Sequence, residues 1–546
     1  MAESSPLLKN GEQSHGAPVP KTINNLGSFS LLINNLVGPA MLGFPHLVQE
    51  AGILPTTLCT LFIFFCATLS GTLFSDAIGT IPNNKSFTLN IDFSTAFRML
   101  AGESWYIIAE TLFLVTCVVQ TVAAVVSCAQ SVDGLLASFI LGHSYALQIT
   151  PSLSFVQWSA QKCYEDQLSP VELPSETDDC TPFHDSGGLI ITLGYLLTTL
   201  VFLPLGRGNL QETIGVQIMA FGSMCVLLVV FLFEFISKGF PTEVPMIGPS
   251  MSELAGVVLF NYAFIITVPS WLTEKKTNVS VNKIVWSASS LATLIYIGFG
   301  ILGAMTFVGI GGNALVMLTS SKVHLITRIC ATLFGVSTIG SGVPVFCVMI
   351  RTAIYHSKLV SYSTSLFLGS IAPYLISWVL YQGTLLITLL NWTGLVVNGL
   401  VAFLLPMFLV LKAADRRRNQ HHQDQQQQQL KSQDTTSDVE MKGSSGPKKS
   451  PSAASGKPFF VSPYHQGIQP EAPTSAGGGG GGAGAVGASS VEPLPVWLEP
   501  YRKCIVIFMV VCFAIIIVST TLADTISDVE ATEQASNAAP RQQQHF

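Results

Sequence analysis

Residues 34–45, NNLVGPAMLGFP, lie within an apolar run from Leu26 to Val48 and yet carry Gly38, Pro39, Gly43 and Pro45. Inside a helix a glycine costs about 1 kcal/mol and a proline about 3. A helix broken at bilayer depth frees amides and carbonyls that are costly when bare, so a break persists where protein, water or a bound solute satisfies them. The chemistry on offer is binding: a half-helix N-terminus can face a solute's anionic group, and freed carbonyls can hold a cation. From this segment alone, a kinked helix packed on its neighbours is the alternative. Residues 260–271, FNYAFIITVPSW, repeat the theme with an amide, a Tyr, a Thr and Pro269 in an apolar stretch. Residues 335–344, GVSTIGSGVP, supply hydroxyls that suit Na⁺ and small residues that suit close helix packing. Glu110, about two turns into the third apolar run, must pair, protonate, face water or snorkel to the headgroups. A Walker lysine motif, a zinc-spaced Cys/His cluster, HExxH and GxSxG are all missing, which argues against an enzyme or an ATP-driven pump. Neither a cofactor nor a nucleic-acid partner is implied.

Elements that could position these residues follow from composition. The 546 residues are 49% hydrophobic and 11% charged, against about 25% charged in soluble domains. Runs of about 20 apolar residues, enough to span, fall at 27–46, 53–79, 105–141, 188–204, 212–236, 252–272, 284–309, 324–350, 363–383, 385–411 and 502–523. This predicts an all-α polytopic membrane protein with eleven transmembrane helices. The third run is too long for one simple span and should tilt or protrude; the fourth is the shortest. The interrupted first and sixth spans, five apart, predict a 5+5 inverted repeat whose broken helices meet at the midplane, plus one additional helix.

Charge sets the expected orientation. With a cytoplasmic N-terminus the inner segments hold Lys9, Lys21, Lys85, Arg98, Arg207, Lys275, Lys276, Lys283, Arg351 and Lys358, plus the basic stretch after Lys412. The outer segments then hold Lys162, Lys238, Lys322 and Arg541. Residues 1–22 should be disordered, and Glu3 ahead of Leu7-Leu8 has the form of an acidic dileucine sorting signal read by adaptors. Asn84-Lys85-Ser86 is a glycosylation sequon expected to go unused on the inner side. The core, residues 23–411, includes an outer loop at 143–187. That loop holds seven carboxylates and Cys163 and Cys180, the one cysteine pair in a hydrophilic loop and a candidate disulfide. Residues 412–500, rich in Gln, Ser, Pro and Gly, read as a disordered cytoplasmic insertion, 501–523 as the last span and 524–546 as an outer tail.

NNLVGPAMLGF (34–44), TVPSWLTEKK (267–276) and VPVFCVMIR (343–351) resemble motifs of the amino acid/auxin permease family. The resemblance covers roughly residues 22–411 and 500–523. It implies secondary amino acid transport on the fold of the bacterial leucine transporter. The substrate carboxylate would then meet the amides of Gly38, Ala40 and Met41. Its ammonium would meet carbonyls of Phe260 and Ala263, and its side chain would fill space shaped by Asn35, Tyr262 and Thr267. Coupling-ion candidates are the carbonyls of Ile33 and Leu36 and the hydroxyls of Ser337, Thr338 and Ser341, with Glu110 for a proton. Two departures stand out. The family's GSG is Gly38-Pro39-Ala40 here, one N–H fewer, and the family's eighth-helix Thr, often taken as a Na⁺ ligand, is Gly342 here. These favour H⁺ over Na⁺, and the dileucine form at Glu3, Leu7 and Leu8 favours a vacuolar or lysosomal membrane. Two alternatives stay open: an amino acid sensor signalling through 412–500, and a sodium-coupled plasma-membrane transporter.

Overall fold

The computed structural model describes residues 21–150, 152–159, 182–183, 188–208, 210–307, 310, 314–319, 323–358, 360–381, 393–441, 499–518 and 521. Two compact units are present, Met1–Ala414 with Ser489–Phe546, and Asp415–Ala488. In the second, the described residues 415–441 belong to helix.

Each element of the first unit starts or stops for a local reason. Helix α1 (Asn25–Leu36) is capped by Asn24, whose side chain accepts from the Gly27 amide. It stops at Val37, whose φ of −77° and ψ of 77° form an inverse γ-turn, closed by the Gly38 amide on the Leu36 carbonyl at 2.8 Å. A 3₁₀ turn (Pro39–Gly43) leads into α2 (Phe44–Ala51), and the chain bends by 50° between α1 and residues 41–51. Gly52, at φ +90°, turns the chain into α3 (Ile53–Gly79). Asp92 caps α4 (Phe93–Ala101), and α5 (Glu103–Leu135) continues through a π turn (Leu136–Ile140). After the strands come α6 (Leu193–Leu205), capped by Thr192, and α7 (Leu210–Lys238). The sixth run splits into α8 (Leu254–Asn261), a 3₁₀ turn (Ala263–Thr267) and α9 (Val268–Glu274). Next are α10 (Val281–Thr306), α11 (Ala314–Thr319), α12 (Leu325–Phe334), a π turn (Gly335–Ile339) and α13 (Gly342–His356). Then come α14 (Tyr362–Leu366), a π turn (Phe367–Ile371), α15 (Ala372–Val379), a π segment (Thr393–Leu404) and α16 (Leu405–Met441). A last helix covers 502–518.

Among the described residues, seven helices are long and apolar enough to cross a membrane, and the bent pair makes an eighth. The other three apolar runs also carry helix: the 13 residues of α6, the α14–α15 series, and 502–518. The third run, expected to overshoot, is helical from Glu103 to Ile140. Two features differ from expectation. Helix α16 continues to Met441, where loss of structure was expected from 412, because Gln, Lys and Arg are good helix formers even without apolar residues. The 143–187 loop contributes strands: β1 (Ser144–Gln148) pairs antiparallel with β2 (Ser154–Trp158) and, at Ala146–Gln148, with β3 (Ile190–Thr192).

The sheet marks one end of the helices and is anchored by a residue the apolar pattern hides. Asp133 of α5, fully buried, accepts at Oδ1 from Ser144 Oγ (2.5 Å) and the Gly194 amide (2.8 Å). Its Oδ2 accepts from Thr192 Oγ1 (2.5 Å) and Tyr381 Oη (2.6 Å). At the opposite end, the Thr22 and Ile23 amides donate to the Glu274 carbonyl, and the Lys276 amide donates to that of Ile23. The entry to the first broken span is thereby tied to the exit of the sixth. Lys275 is buried there, its Nζ donating to the Val279 carbonyl at 3.0 Å, and burial first, then the Lys21 ammonium, pulls its pKa down to about 8. Asn84 is also buried at this end, with its side-chain amide bonded to backbone.

Candidate functional site

The two interrupted spans meet: α1 packs on the 3₁₀ turn after α8, and α8 packs on the 3₁₀ turn after α1. Two tyrosines buttress the junction, Tyr296 on α10 and Tyr262 where α8 ends. Tyr296 stacks on Phe44 at 4.8 Å and 11°, and its hydroxyl donates to the Leu36 carbonyl. Tyr262 packs edge-on against Tyr296, its hydroxyl 2.5 Å from Thr293 Oγ1. Six buried oxygens on the broken helices lack a hydrogen-bond partner: Ser28 and Ser30 Oγ, Asn34 and Asn35 Oδ1, Asn261 Oδ1, and Glu274 Oε2 at the far end of α9. An unmet buried acceptor costs about 1–3 kcal/mol, so a polar guest that reached any of these oxygens would be favoured.

Gly38 sits in extended backbone at φ −106°, and a Cβ there would touch little beyond the Leu36 carbonyl at 3.9 Å, so the break opens into space. The amides assigned to a substrate carboxylate are partly used. Gly38 N–H bonds the Leu36 carbonyl, and Met41 N–H bonds the Gly38 carbonyl at 3.2 Å. Ala40 is the second residue of the 3₁₀ turn. In the sixth span the Tyr262 amide donates to the Leu259 carbonyl at 3.2 Å and is shared with that of Phe260, and Ala263 opens the 3₁₀ turn. Asn35 Nδ2 donates to Leu31 at 2.7 Å, leaving Oδ1 bare. Thr267 is buried, its hydroxyl donating to Phe264 at 2.7 Å. The Tyr262 ring lies at the junction, although its hydroxyl serves α10.

The coupling-ion set is brought together only in part. Ile33's carbonyl receives the Val37 amide at 2.8 Å, and Leu36's receives two donors, Gly38 N–H and Tyr296 O–H, which fill both lone pairs. That excludes the Leu36 carbonyl as a cation ligand in this conformation. Ser337 Oγ donates to Leu333 and accepts from Ser223 at 2.9 Å, Ser341 Oγ donates to Thr338's carbonyl, and buried Thr338 Oγ1 has no partner. Between α1 and α13 stands Gln217 of α7. Asn34 Nδ2 donates to Gln217 O and Oε1, both at 2.8 Å, and Gln217 Nε2 donates to the Ser341 carbonyl at 2.7 Å. Gly335 and Gly340 are packing residues, since a Cβ would lie 2.0 Å from Ser131 Oγ and 2.3 Å from Phe202 Cζ. Glu110 is far from this junction, at the end opposite the sheet. It accepts from Ser94 Oγ, which also bonds Asp92, and Asp92 in turn pairs with His356 at 3.0 Å. In the sequence Asn261 is noted as the amide of the sixth span, but neither it nor Asn34, Gln217 or Tyr296 is nominated there as a site residue. Their signal was a polar group inside an apolar run. Cys163, Cys180, Glu3, Leu7 and Leu8 lie outside the described residues.

Residues 21–159 match the family model of the tryptophan/tyrosine permease family. No curated protein matches the chain. Among solved structures, MhsT in complex with L-phenylalanine is similar at 13% identity and a TM-score of 0.50, covering 72% of this chain and 89% of that one. Mhp1, a nucleobase-cation-symport-1 family transporter, in a closed conformation with bromovinylhydantoin bound, is similar at 12% identity and a TM-score of 0.49, covering 73% and 80%. The likeness to MhsT is one of fold, and it agrees with a polytopic all-α membrane protein. With the matched family it points to a transporter, not an enzyme. The amino acid/auxin resemblance accordingly holds at the coarser level of a permease.

Proposed function

We propose that the chain is a secondary active transporter of amino acids, proton-coupled and working by alternating access. The sheet end would face the lumen of an endolysosomal or vacuolar compartment and the N-terminus the cytoplasm. The observation that carries this reading is that two broken helices pack on one another and carry bare, buried oxygens at Asn34, Asn35 and Asn261. A zwitterion suits them: its ammonium meets those oxygens and the carbonyls near Phe260 and Ala263, and its carboxylate meets the first-turn amide of Ala40 beside open Gly38. Both the amino acid/auxin motifs and the tryptophan/tyrosine permease match support amino acids, and the second makes L-tryptophan the first substrate to assay. Proton coupling is supported by the filled Leu36 carbonyl and by the Gln217 N–H donor standing between α1 and α13, where a cation would need acceptors. The dileucine signal and the Cys163–Cys180 disulfide belong to the same proposal as sorting and lumenal-loop features.

The test is L-tryptophan uptake by the purified protein in proteoliposomes, with pH and Na⁺ gradients imposed separately. Uptake driven by the pH gradient alone is expected, with loss of uptake in Gly38→Leu at undiminished expression, because that side chain would enter the open break. Flux driven by sodium alone would overturn proton coupling. Normal uptake by Gly38→Leu would overturn the site.

A further inference from the structure

Near the sheet end of α7 lies a carboxylate that the site above does not use. Glu234 is 1% exposed. Its Oε2 accepts from His324 Nδ1 and Thr327 Oγ1, each at 2.8 Å, while its buried Oε1 has no partner. The His324 side chain is 68% exposed, so one edge of the ring touches solvent and the other touches a buried acid. Five other ionisable groups at this end lie on α7, on elements packed around it or next to those elements, and each has a partner of its own. Lys238 Nζ lies over the Phe307 ring at 5.2 Å. Arg328 holds the Thr319 carbonyl and covers Phe139. Asp133 is bound by its four donors, and His46 pairs with Glu50 and the Ile310 carbonyl. Below Glu234, Phe231 packs on Phe334 at 5.9 Å and on Phe299 at 6.3 Å, an aromatic floor toward the polar junction.

We propose that Glu234 is the proton-loading site of the sheet-end mouth and that His324 delivers its proton from solvent. The inference rests on the proton-coupled reading given above. A charged carboxylate with one buried bare oxygen is costly, and a proton removes the charge without the oxygen shell a metal ion requires. In the transfer, water gives a proton to His324 Nε2 as the Nδ1 proton passes to Glu234 Oε2. The products are a neutral imidazole in its other tautomer and a neutral carboxylic acid, with hydroxide left in bulk solvent to be neutralised there. The aromatic floor keeps the loaded proton from running directly through to the junction, as coupling demands.

The experiment compares the full-length protein with Glu234→Gln in proteoliposomes, using L-tryptophan and a pH difference of one unit, worth about tenfold accumulation for one proton per solute. The wild-type protein is expected to concentrate tryptophan; Glu234→Gln is expected to bring it only to the external level, as the wild type does with a protonophore. Glu234→Gln concentrating tryptophan as the wild type does would overturn this inference and leave proton coupling intact. No pH-driven flux in the wild type would overturn both. If Glu234→Gln does not fold, as judged by its thermal melt, the exposed His324→Gln decides. A shift in the external pH for half-maximal uptake is expected, and an unchanged profile would overturn the proposal.

Discussion

Among single residues, Gln217 does the most that composition could not announce. One amide side chain joins three spans: it accepts from Asn34 on the first broken helix and donates to the Ser341 carbonyl at the head of α13, while its backbone stays in α7. Truncating it removes the Oε1 acceptor of Asn34 Nδ2, which keeps the Gln217 backbone carbonyl, and the side-chain donor to the Ser341 carbonyl, at about 0.5–1.5 kcal/mol for each hydrogen bond lost. Gln217→Ala is therefore expected to lower the melting temperature of the detergent-solubilised protein and to slow uptake together. An unchanged melt would mean that the bridge carries no net energy. Intramembrane polarity alone singles out Gln217 as a candidate; its partners, 183 and 124 residues away, become visible only when α1, α7 and α13 are packed.

Between elements, the first break was legible because its cause is local. Pro39 has no N–H to continue α1, and the Gly38 amide turns back to Leu36. The second break was legible as a place but not in form, for the chain leaves α8 at Tyr262 and winds as 3₁₀ well before Pro269. The corner between α2 and α3 makes a sharper prediction. Gly52 holds φ +90°, and a Cβ there would stand 2.6 Å from the Gly248 amide nitrogen and 2.7 Å from Ile247 Cα, both backbone atoms that cannot swing aside. Gly52→Ala is expected to cost at least about 1 kcal/mol from the backbone conformation alone, with the displacement of 246–248 added. Thermal unfolding measures this, and a melt equal to wild type would refute the crowding.

For the whole molecule, the open alternative is a sensor that binds an amino acid and signals through residues 412–500. Deleting residues 413–499 separates the two readings. A transporter is expected to keep its tryptophan flux in proteoliposomes because the broken helices and their oxygens lie in the first unit, whereas a sensor would lose its output. Loss of flux in a deletion protein that still melts cooperatively would favour the sensor.

What the sequence determined by itself is whatever depends on neighbours along the chain. Apolar runs of spanning length mark the helices, and Gly and Pro at 38–45 mark where one must open, since each of these acts through its own backbone. The tertiary structure alone decided which freed groups stay free. Leu36's carbonyl, a nominated ion ligand, is closed by Tyr296 from α10, while Asn35 and Asn261, three and one residues before their breaks, keep oxygens that nothing reaches. The same holds for Asp133 and Glu234: each is an acid inside an apolar run, yet the first is met by four donors and the second by two on a single oxygen. A hydrogen bond needs its partner within about 3 Å, and for these residues that partner comes from another helix, strand or loop.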